Sequence, residues 1–324
     1  MRRVRVEVPA TTANLGPGFD SLGLALDVWN RFDVAVSDDE EERGVYVSCE
    51  GEGEGELPQG AENLVYRAME RGFEGEEIPA GVRIHIQNRV PLSSGLGSSA
   101  TAVVAGLLAA NALRRRPLDD ERLLEIAAEM EGHPDNVAPA LRGGLVVSAL
   151  KEGGGVVAIS VRPPEALKVC VAVPDLHLST RISRGKLPEQ VRRGEAVFNL
   201  ARAALWVAAV TTGELEALRT ATEDALHQPY RRTLIPGLEE VFSAALEEGA
   251  WGVALSGSGP SVAAFCSAER CGAVGEGMRS AFQRAGLAAR VIATQPAPHG
   301  ARVIWDASGE AAPMSGGHRA LMER

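Results

Sequence analysis

Lysine is nearly absent. Lys151, Lys168 and Lys186 are the only three in 324 residues, and none stands in a glycine-rich loop. That excludes the phosphate loop built on glycine, lysine and a hydroxyl residue, whose ammonium reaches the terminal phosphates. Phosphate chemistry in this chain has to rest on backbone amides, serine, arginine and a metal ion. Cysteine is also sparse. Cys49, Cys170, Cys266 and Cys271 share no metal-type spacing, and Cys170 and Cys266 sit in strand-like apolar runs, as small buried hydrophobes do. No stretch approaches the roughly 18 uninterrupted apolar residues of a membrane span, and the chain does not open on a basic end, apolar run and small-residue cleavage site. A cytoplasmic protein without membrane contact is expected. Positive charge is in deficit, and a formal charge of −10 argues against a general nucleic-acid binder. It leaves room for a nucleotide held by local amides and Mg2+.

What the chain has in excess is glycine, 36 residues, well above the usual fraction of about 7%. Many cluster in loops, where backbone approach to a ligand is the use for them. Residues 82 to 113 organise the rest. VRIHIQN at 82 to 88 alternates Val82, Ile84 and Ile86 against Arg83, His85 and Gln87, the two-residue period of a strand covered on one face. PLSSGLGSSAT then runs directly into AVVAGLLAANALR, an almost wholly apolar helix. The first-turn amides of such a helix have no internal partner, and glycines at its mouth let an anion come close. Phosphate is the natural occupant, while an ordinary cap by Ser98 or Ser99 accounts for the same residues.

The length implies two domains or one large one. VRVEV opens the chain as a strand, and the turn formers from Pro9 to Gly23 make an ordered loop in which Asn14 and Asp20 either face inward or form local turns. A strand follows from Trp29 to about Ser37. GEGEGELPQG at 51 to 60 reads as a solvated loop, and Asn63 caps the short helix LVYRAMERGF. Residues 119 to 132 form an amphipathic helix, and GGLVVSAL with VVAISV forms an antiparallel hairpin. A second domain begins near Pro163. LKVCVAVP, the helical patterns in 194 to 224, a helix after Pro236, WGVAL, SVAAFC, a helix at 273 to 285 and a strand at 288 to 293 describe a two-layer α+β domain. The apolar helix 197 to 210 covers either a core or a dimer surface.

Three blocks resemble the signature motifs of the GHMP small-molecule kinases: PATTANLGPGFDSLG at 9 to 23, PLSSGLGSSATA at 91 to 102 and ALSGSGPSVAAF at 254 to 265. Within that superfamily the wording is similar to the homoserine kinases, through EGHPDNVAPALRGG at 131 to 144, STRISR at 179 to 184 and HQPYRRTLIPG at 227 to 237. The likeness spans about residues 4 to 302. It implies a two-domain α+β fold: residues 1–162 as an ATP-binding domain of the ribosomal-protein-S5-domain-2 type with a left-handed βαβ crossover, and residues 163–302 as a ferredoxin-like α/β sandwich. Residues 303–324 are an unassigned tail. The implied activity is ATP-dependent phosphorylation of the side-chain hydroxyl of L-homoserine, in threonine biosynthesis, by a homodimer.

The resemblance also implies a site. ATP phosphates lie over Pro91, Leu92, Ser93, Ser94, Gly95, Leu96, Gly97, Ser98, Ser99, Ala100 and Thr101, with Gly257, Ser258 and Gly259 closing over them through their amides and adenine in a cleft near Asn63. Ser99 and Glu125 are the implied Mg2+ ligands, oxygen donors that suit a hard cation and compensate for the missing lysine. Arg184 and Arg231 take the amino-acid carboxylate, for which the guanidinium fork is suited. Thr180 shares their polar segment, Asp20 takes the ammonium, and Asn14 and His133 line the hydroxyl end. Arg181 and Arg232, one residue away, are the competing assignments.

Mevalonate-type relatives carry an aspartate eleven residues after the metal glutamate, where Glu125 plus eleven is Asn136. Asparagine cannot accept a proton as a carboxylate does. Direct attack by the hydroxyl is therefore implied, with Asn136, Asn14 and Arg231 aligning the reactants and Asp135 as the alternative base. The segment 179 to 184 departs from the family in having Ile182-Ser183 where Glu-Ala is commoner. Competing readings are another GHMP kinase, acting on mevalonate, shikimate or a sugar, and a non-catalytic ligand-binding member of the fold.

Overall fold

In the computed structural model, which describes residues 2–304, Val4, Val6 and Val8 all point to the buried face of the first sheet, as their two-residue period requires. β1 (Arg2–Ala13) runs antiparallel to β2 (Leu22–Ser37), and the register slips between Pro9 and Ala10. Proline has no amide to give the ladder, and a bulge there bends the strand. The last residues of β1 thereby lead the loop of residues 14–21 to the junction between the two halves of the molecule. β2 is longer than the Trp29–Ser37 strand expected, because LGLAL continues it.

β3 (Gly44–Gly51) pairs in parallel with β4 (Gly81–Asn88), so the chain must cross over between them, and α1 (Leu64–Gly72) is the crossover helix. Asn63 caps it as expected, its Oδ1 accepting from the Val65 amide, a contribution of about 1 kcal/mol. α2 (Ser98–Leu113) is apolar on every side and correspondingly sunk in the core. It is followed by α3 (Asp120–Glu131), capped by Asp119, and by α4 (Pro134–Arg142), a helix that the sequence reading did not separate. β5 (Leu145–Leu150) and β6 (Val156–Val161) form the expected hairpin, joined to the sheet through β2.

The second half contains β7 (Lys168–Pro174), α5 (Thr180–Arg184), α6 (Arg193–Thr212), α7 (Leu218–Ala221), α8 (Gln228–Arg231), α9 (Leu238–Glu247), β8 (Gly252–Leu255), β9 (Val262–Cys266), α10 (Ala268–Arg284) and β10 (Ala289–Thr294). Its antiparallel sheet has the order β10-β7-β9-β8, the arrangement of a split βαβ ferredoxin-like domain. The helix expected over GELEALRTATED shrinks to a 3-10 turn and α7.

The chain then returns to the first sheet. Pro296 bridges Leu26, and β11 (Arg302–Ile304) pairs with β1. The 302/303 boundary expected from the sequence cuts through this strand; residues 305–324 of the expected tail lie outside the described residues. One apolar cluster fills the space between the first sheet and α1 to α4, and another the second domain. A third, with Leu15, Leu22 and Leu96 from one side and Trp206, Val210 and Phe265 from the other, welds the two halves. α6 thus covers a core with its C-terminal half, while Val197 and Leu200 are 57% and 71% exposed. Cys170, Cys266 and Cys271 are buried free thiols, and burial pushes Cys266 up to about 12. Among the described residues no helix is long and apolar enough to cross a membrane.

Candidate active site

The mouth of α2 is left uncapped. Gly97 occupies the N-cap in the left-handed region (φ 69°), and among the described residues no side chain caps the first-turn amides. Neither Ser98 nor Ser99 acts as the cap that would have been the ordinary explanation. An uncapped helix N-terminus is a ready anion site, and it opens onto a cavity of about 370 Å³ between the two halves. Ser93, Ser94, Gly95, Gly97, Ser98 and Ser99 form its floor. Gly95 and Gly97 are needed for packing as well. A Cβ on Gly95 would land on the Ser256 carbonyl oxygen and one on Gly97 on Thr11 Oγ1.

Ser99 Oγ lies 2.5 Å from Glu131 Oε1 at the edge of this floor. A hydroxyl and a carboxylate beside a phosphate-binding helix end are hard oxygen donors, and they fit Mg2+. Glu125 is not the partner. It sits six residues back along α3, about 9 Å along the axis, where it pairs with Arg122 and faces Gly155 of the hairpin turn. The carboxylate beside Ser99 is thus Glu131, while Glu125, expected with Ser99 to hold Mg2+, lies outside the cavity that Ser99 and Glu131 line.

Opposite the floor stands a charged wall. Arg231 is 1% exposed, its Nη1 donates to Gly257 O and to His227 Nδ1 (both 3.0 Å), and its Nε has no partner among the described residues. Burial and the nearby Arg184 lower its pKa to about 10, which leaves it cationic at neutral pH. Arg184 pairs with Asp20, whose carboxylate, through hydrogen bond and charge, raises the guanidinium pKa despite burial. Both guanidiniums lie over the Phe19 ring, at 5.2 and 5.5 Å. Arg181 and Arg232 stay outside, Arg232 pairing with Glu239 on the surface.

His133 lines the same cavity, its Nδ1 2.5 Å from Asp135 Oδ1. Burial opposes its charged form, yet the Asp135 bond and charge outweigh burial and raise its pKa. Asp20, His133 and Asp135 lie within 4.8 Å of one another, an anionic corner beside the two arginines. Asn136 stands between this corner and the floor, accepting from Thr11 Oγ1 (2.8 Å) and donating to Asp135 (3.3 Å).

The glycine loop after β8 acts differently from the expectation. The Gly257 amide donates to Ala13 O, the Gly259 amide to Ser256 O, and the Ser261 amide to Ser94 O. These amides are consumed inside the protein, and Gly259 packs against Ile235 without lining the cavity. What the loop presents is the Gly257 carbonyl, which receives both Arg231 and Asn14 Nδ2. Asn14, expected to line the hydroxyl end, lines the cavity, left-handed at φ 66°, and its side chain also accepts from the Asp20 amide, so it braces two loops. Ser258 lines the cavity beside Thr180, and Ser183, the departure noted above, donates to Ser258 O and ties α5 to the loop.

Several expected phosphate or adenine residues point elsewhere. Leu96, Ala100 and Thr101 are buried, with the Thr101 hydroxyl occupied by Ser98 O and Asn30. Pro91 and Leu92 face a second cavity, of about 520 Å³, on the far side of the loop. Asn63 spends its side chain on Val65 and on Pro58 O, and the nearby groove runs along Leu57, Pro58 and Gln59. Glu131, Phe19 and His227 were missed by the sequence reading. His227 stands four residues before Arg231, a spacing that faces two side chains on a helical turn.

Two family models match the chain: GHMP kinases N terminal domain over residues 63–144 and GHMP kinases C terminal over residues 207–284. The chain is 47% identical to a homoserine kinase of Moorella thermoacetica over 92% of its length and 99% of the relative's. It is 46% identical to one of Synechococcus sp., over 89% and 91%. The crystal structure of homoserine kinase from Cytophaga hutchinsonii superposes with a TM-score of 0.84 at 32% identity, over 94% of this chain and 98% of that one.

Proposed function

Because the chain belongs to the homoserine kinase family of the GHMP kinases, we propose that it transfers the γ-phosphate of ATP to the side-chain hydroxyl of L-homoserine, a step in threonine biosynthesis. The observation that carries the reading is Arg231, a buried guanidinium with an unpartnered Nε, in the same cavity as an uncapped helix mouth. A neutral alcohol gives such an arginine nothing to bind. A carboxylate offers it two acceptors in one plane.

The α-carboxylate binds Arg231 and Arg184, the ammonium takes the anionic corner of Asp20, His133 and Asp135, and the hydroxyl extends toward Asn136 and the phosphate floor. Ser93 to Ser99 and the first amides of α2 cradle the triphosphate. Ser99 and Glu131 would hold Mg2+, which neutralises charge on the phosphate oxygens. In the transfer, the hydroxyl oxygen bonds to the γ-phosphorus as the bond to the β–γ bridging oxygen breaks. ADP leaves, and the hydroxyl proton passes to phosphate or water. A loose transition state needs little early deprotonation, so alignment carries the rate. Thr11 and Asp135 hold Asn136 for that purpose, and Asp135 is itself braced by His133. The exposed Val197 and Leu200 support a homodimer, which light scattering checks.

The test is ADP release from Mg·ATP with purified protein and a panel of L-homoserine, mevalonate, shikimate and galactose. Turnover with L-homoserine is expected. Turnover with mevalonate, shikimate or galactose instead would reassign the substrate, and turnover with none would favour a ligand-binding role.

A further inference from the structure

A buried arginine can read a carboxylate only if something fixes which edge of the guanidinium faces it. Beneath Arg231 that something is His227, which is itself fully buried. Its Nε2 lies 2.7 Å from Gly16 O. A carbonyl only accepts, so the proton sits on Nε2. Nδ1 then carries a lone pair, and it lies 3.0 Å from Arg231 Nη1, which only donates. The two contacts agree for one form alone, the neutral Nε2–H tautomer.

The imidazole cannot easily turn. Asp224 accepts from the amides of His227 (2.9 Å) and Gln228 (2.6 Å) and from Asn199 Nδ2 (2.7 Å), fixing the start of α8, and the Phe19 ring lies 5.4 Å from the imidazole. Gly16 belongs to the loop after β1, in the first domain, so the contact also crosses the domain junction. With Nη1 spent on His227 and Gly257 O, the remaining edge of Arg231 is Nε and Nη2, the two-pronged side.

We propose that His227, as a neutral Nε2–H imidazole tied to Gly16, is a positioning residue that turns the Nε/Nη2 edge of Arg231 toward the substrate carboxylate. The inference rests on the homoserine reading and adds a residue to it.

Two substitutions separate the contacts. His227→Gln keeps a donor near the Nε2 position and loses the acceptor for Arg231, while His227→Asn keeps an acceptor near Nδ1 and loses the tie to Gly16. Losing a hydrogen bond to a charged group is expected to raise KM for L-homoserine about tenfold in His227→Gln. KM for ATP and kcat stay within about twofold, and His227→Asn restores most of the loss. With 3-aminopropan-1-ol, which lacks the carboxylate, the variants and the parent behave alike. Equal loss in both variants on both substrates, or an unchanged KM in His227→Gln, would overturn the proposal. Should either variant fail to fold, 15N NMR of histidine-labelled parent protein decides. The neutral Nε2–H form of His227 is expected, and an Nδ1–H tautomer or an imidazolium refutes it. A parent protein inactive on L-homoserine would remove the functional reading, a result separate from the tautomer.

Discussion

Arg184 and Asp20 hold each other in a two-pronged ion pair, Nη1 3.0 Å from Oδ2 and Nη2 2.5 Å from Oδ1. Their side chains are 36% and 34% exposed. Pairs this wet contribute little to stability, about 0 to 1 kcal/mol, so they part at low cost. An amino acid supplies one charge for each partner. On the proposed homoserine reading, the two halves satisfy one another until a zwitterion takes their place.

Asp20→Ala should consequently raise KM for L-homoserine by about tenfold or more, the cost of a lost charge-assisted contact. For 4-hydroxybutanoate, which has the carboxylate and hydroxyl without the ammonium, the same variant should bind no worse than the parent, because Arg184 is freed. Steady-state kinetics with both substrates check this. Parallel losses on the two would show that Asp20 serves only to shape the loop.

At the proposed Mg2+ site, Glu131→Gln should lower kcat about 100-fold or more, as removal of a group that stabilises transferring phosphate does, and shift the Mg2+ activation curve to higher concentration. Glu125→Gln should leave both within about twofold, since Glu125 pairs with Arg122 outside the cavity. Mg2+ titrations of the two variants distinguish the glutamates; the opposite ranking would restore Glu125.

The helix mouth is sensitive to a single methyl group. Gly95→Ala places a Cβ on the Ser256 carbonyl at a φ of +83°, and loss of activity with a drop of several degrees in Tm is expected. Gly55→Ala has a similar φ of +75° and nothing within 4 Å, so it isolates the backbone strain of about 1 kcal/mol and should retain turnover. Thermal melts and kinetics of the pair provide the comparison.

His227 should make the fold acid-sensitive. Burial lowers its pKa below 6.5, and Arg231 works in the same direction, outweighing the opposing charges of Asp224 and Asp20. The unfolded chain therefore binds the proton first. Stability is full above pH 6.5 and falls as the pH drops toward the folded-state value, by at most about 1.4 kcal/mol per pH unit for one proton. Melting curves of His227→Asn should be flatter than the parent's below pH 6.5; equal slopes would contradict this.

Elements with a strict period were legible. Val82, Ile84 and Ile86 announced β4, the unbroken apolar run announced α2, and Asn63 announced its helix. The return of β11 to β1 was not, because three residues carry no period and the pairing spans almost the whole chain. α4 hid behind two prolines, one of which, Pro134, is an ordinary first residue of a helix. At the site, residue types were read better than their directions. The resemblance pointed to Arg184 and Arg231 and left Arg181 and Arg232 open, and the first two line the cavity; composition could not tell that the Gly257 and Gly259 amides turn inward while the Gly257 carbonyl faces Arg231.

The most direct measurement is the kinetics of Arg231→Ala against the parent, with the product identified by 31P NMR. The expected result is a phosphate ester on the side-chain oxygen of L-homoserine, with KM for the amino acid raised about tenfold or more and KM for ATP unchanged. Unchanged KM for L-homoserine in Arg231→Ala, or phosphate on an uncharged alcohol in its place, would contradict the assignment of the buried guanidinium to the substrate carboxylate.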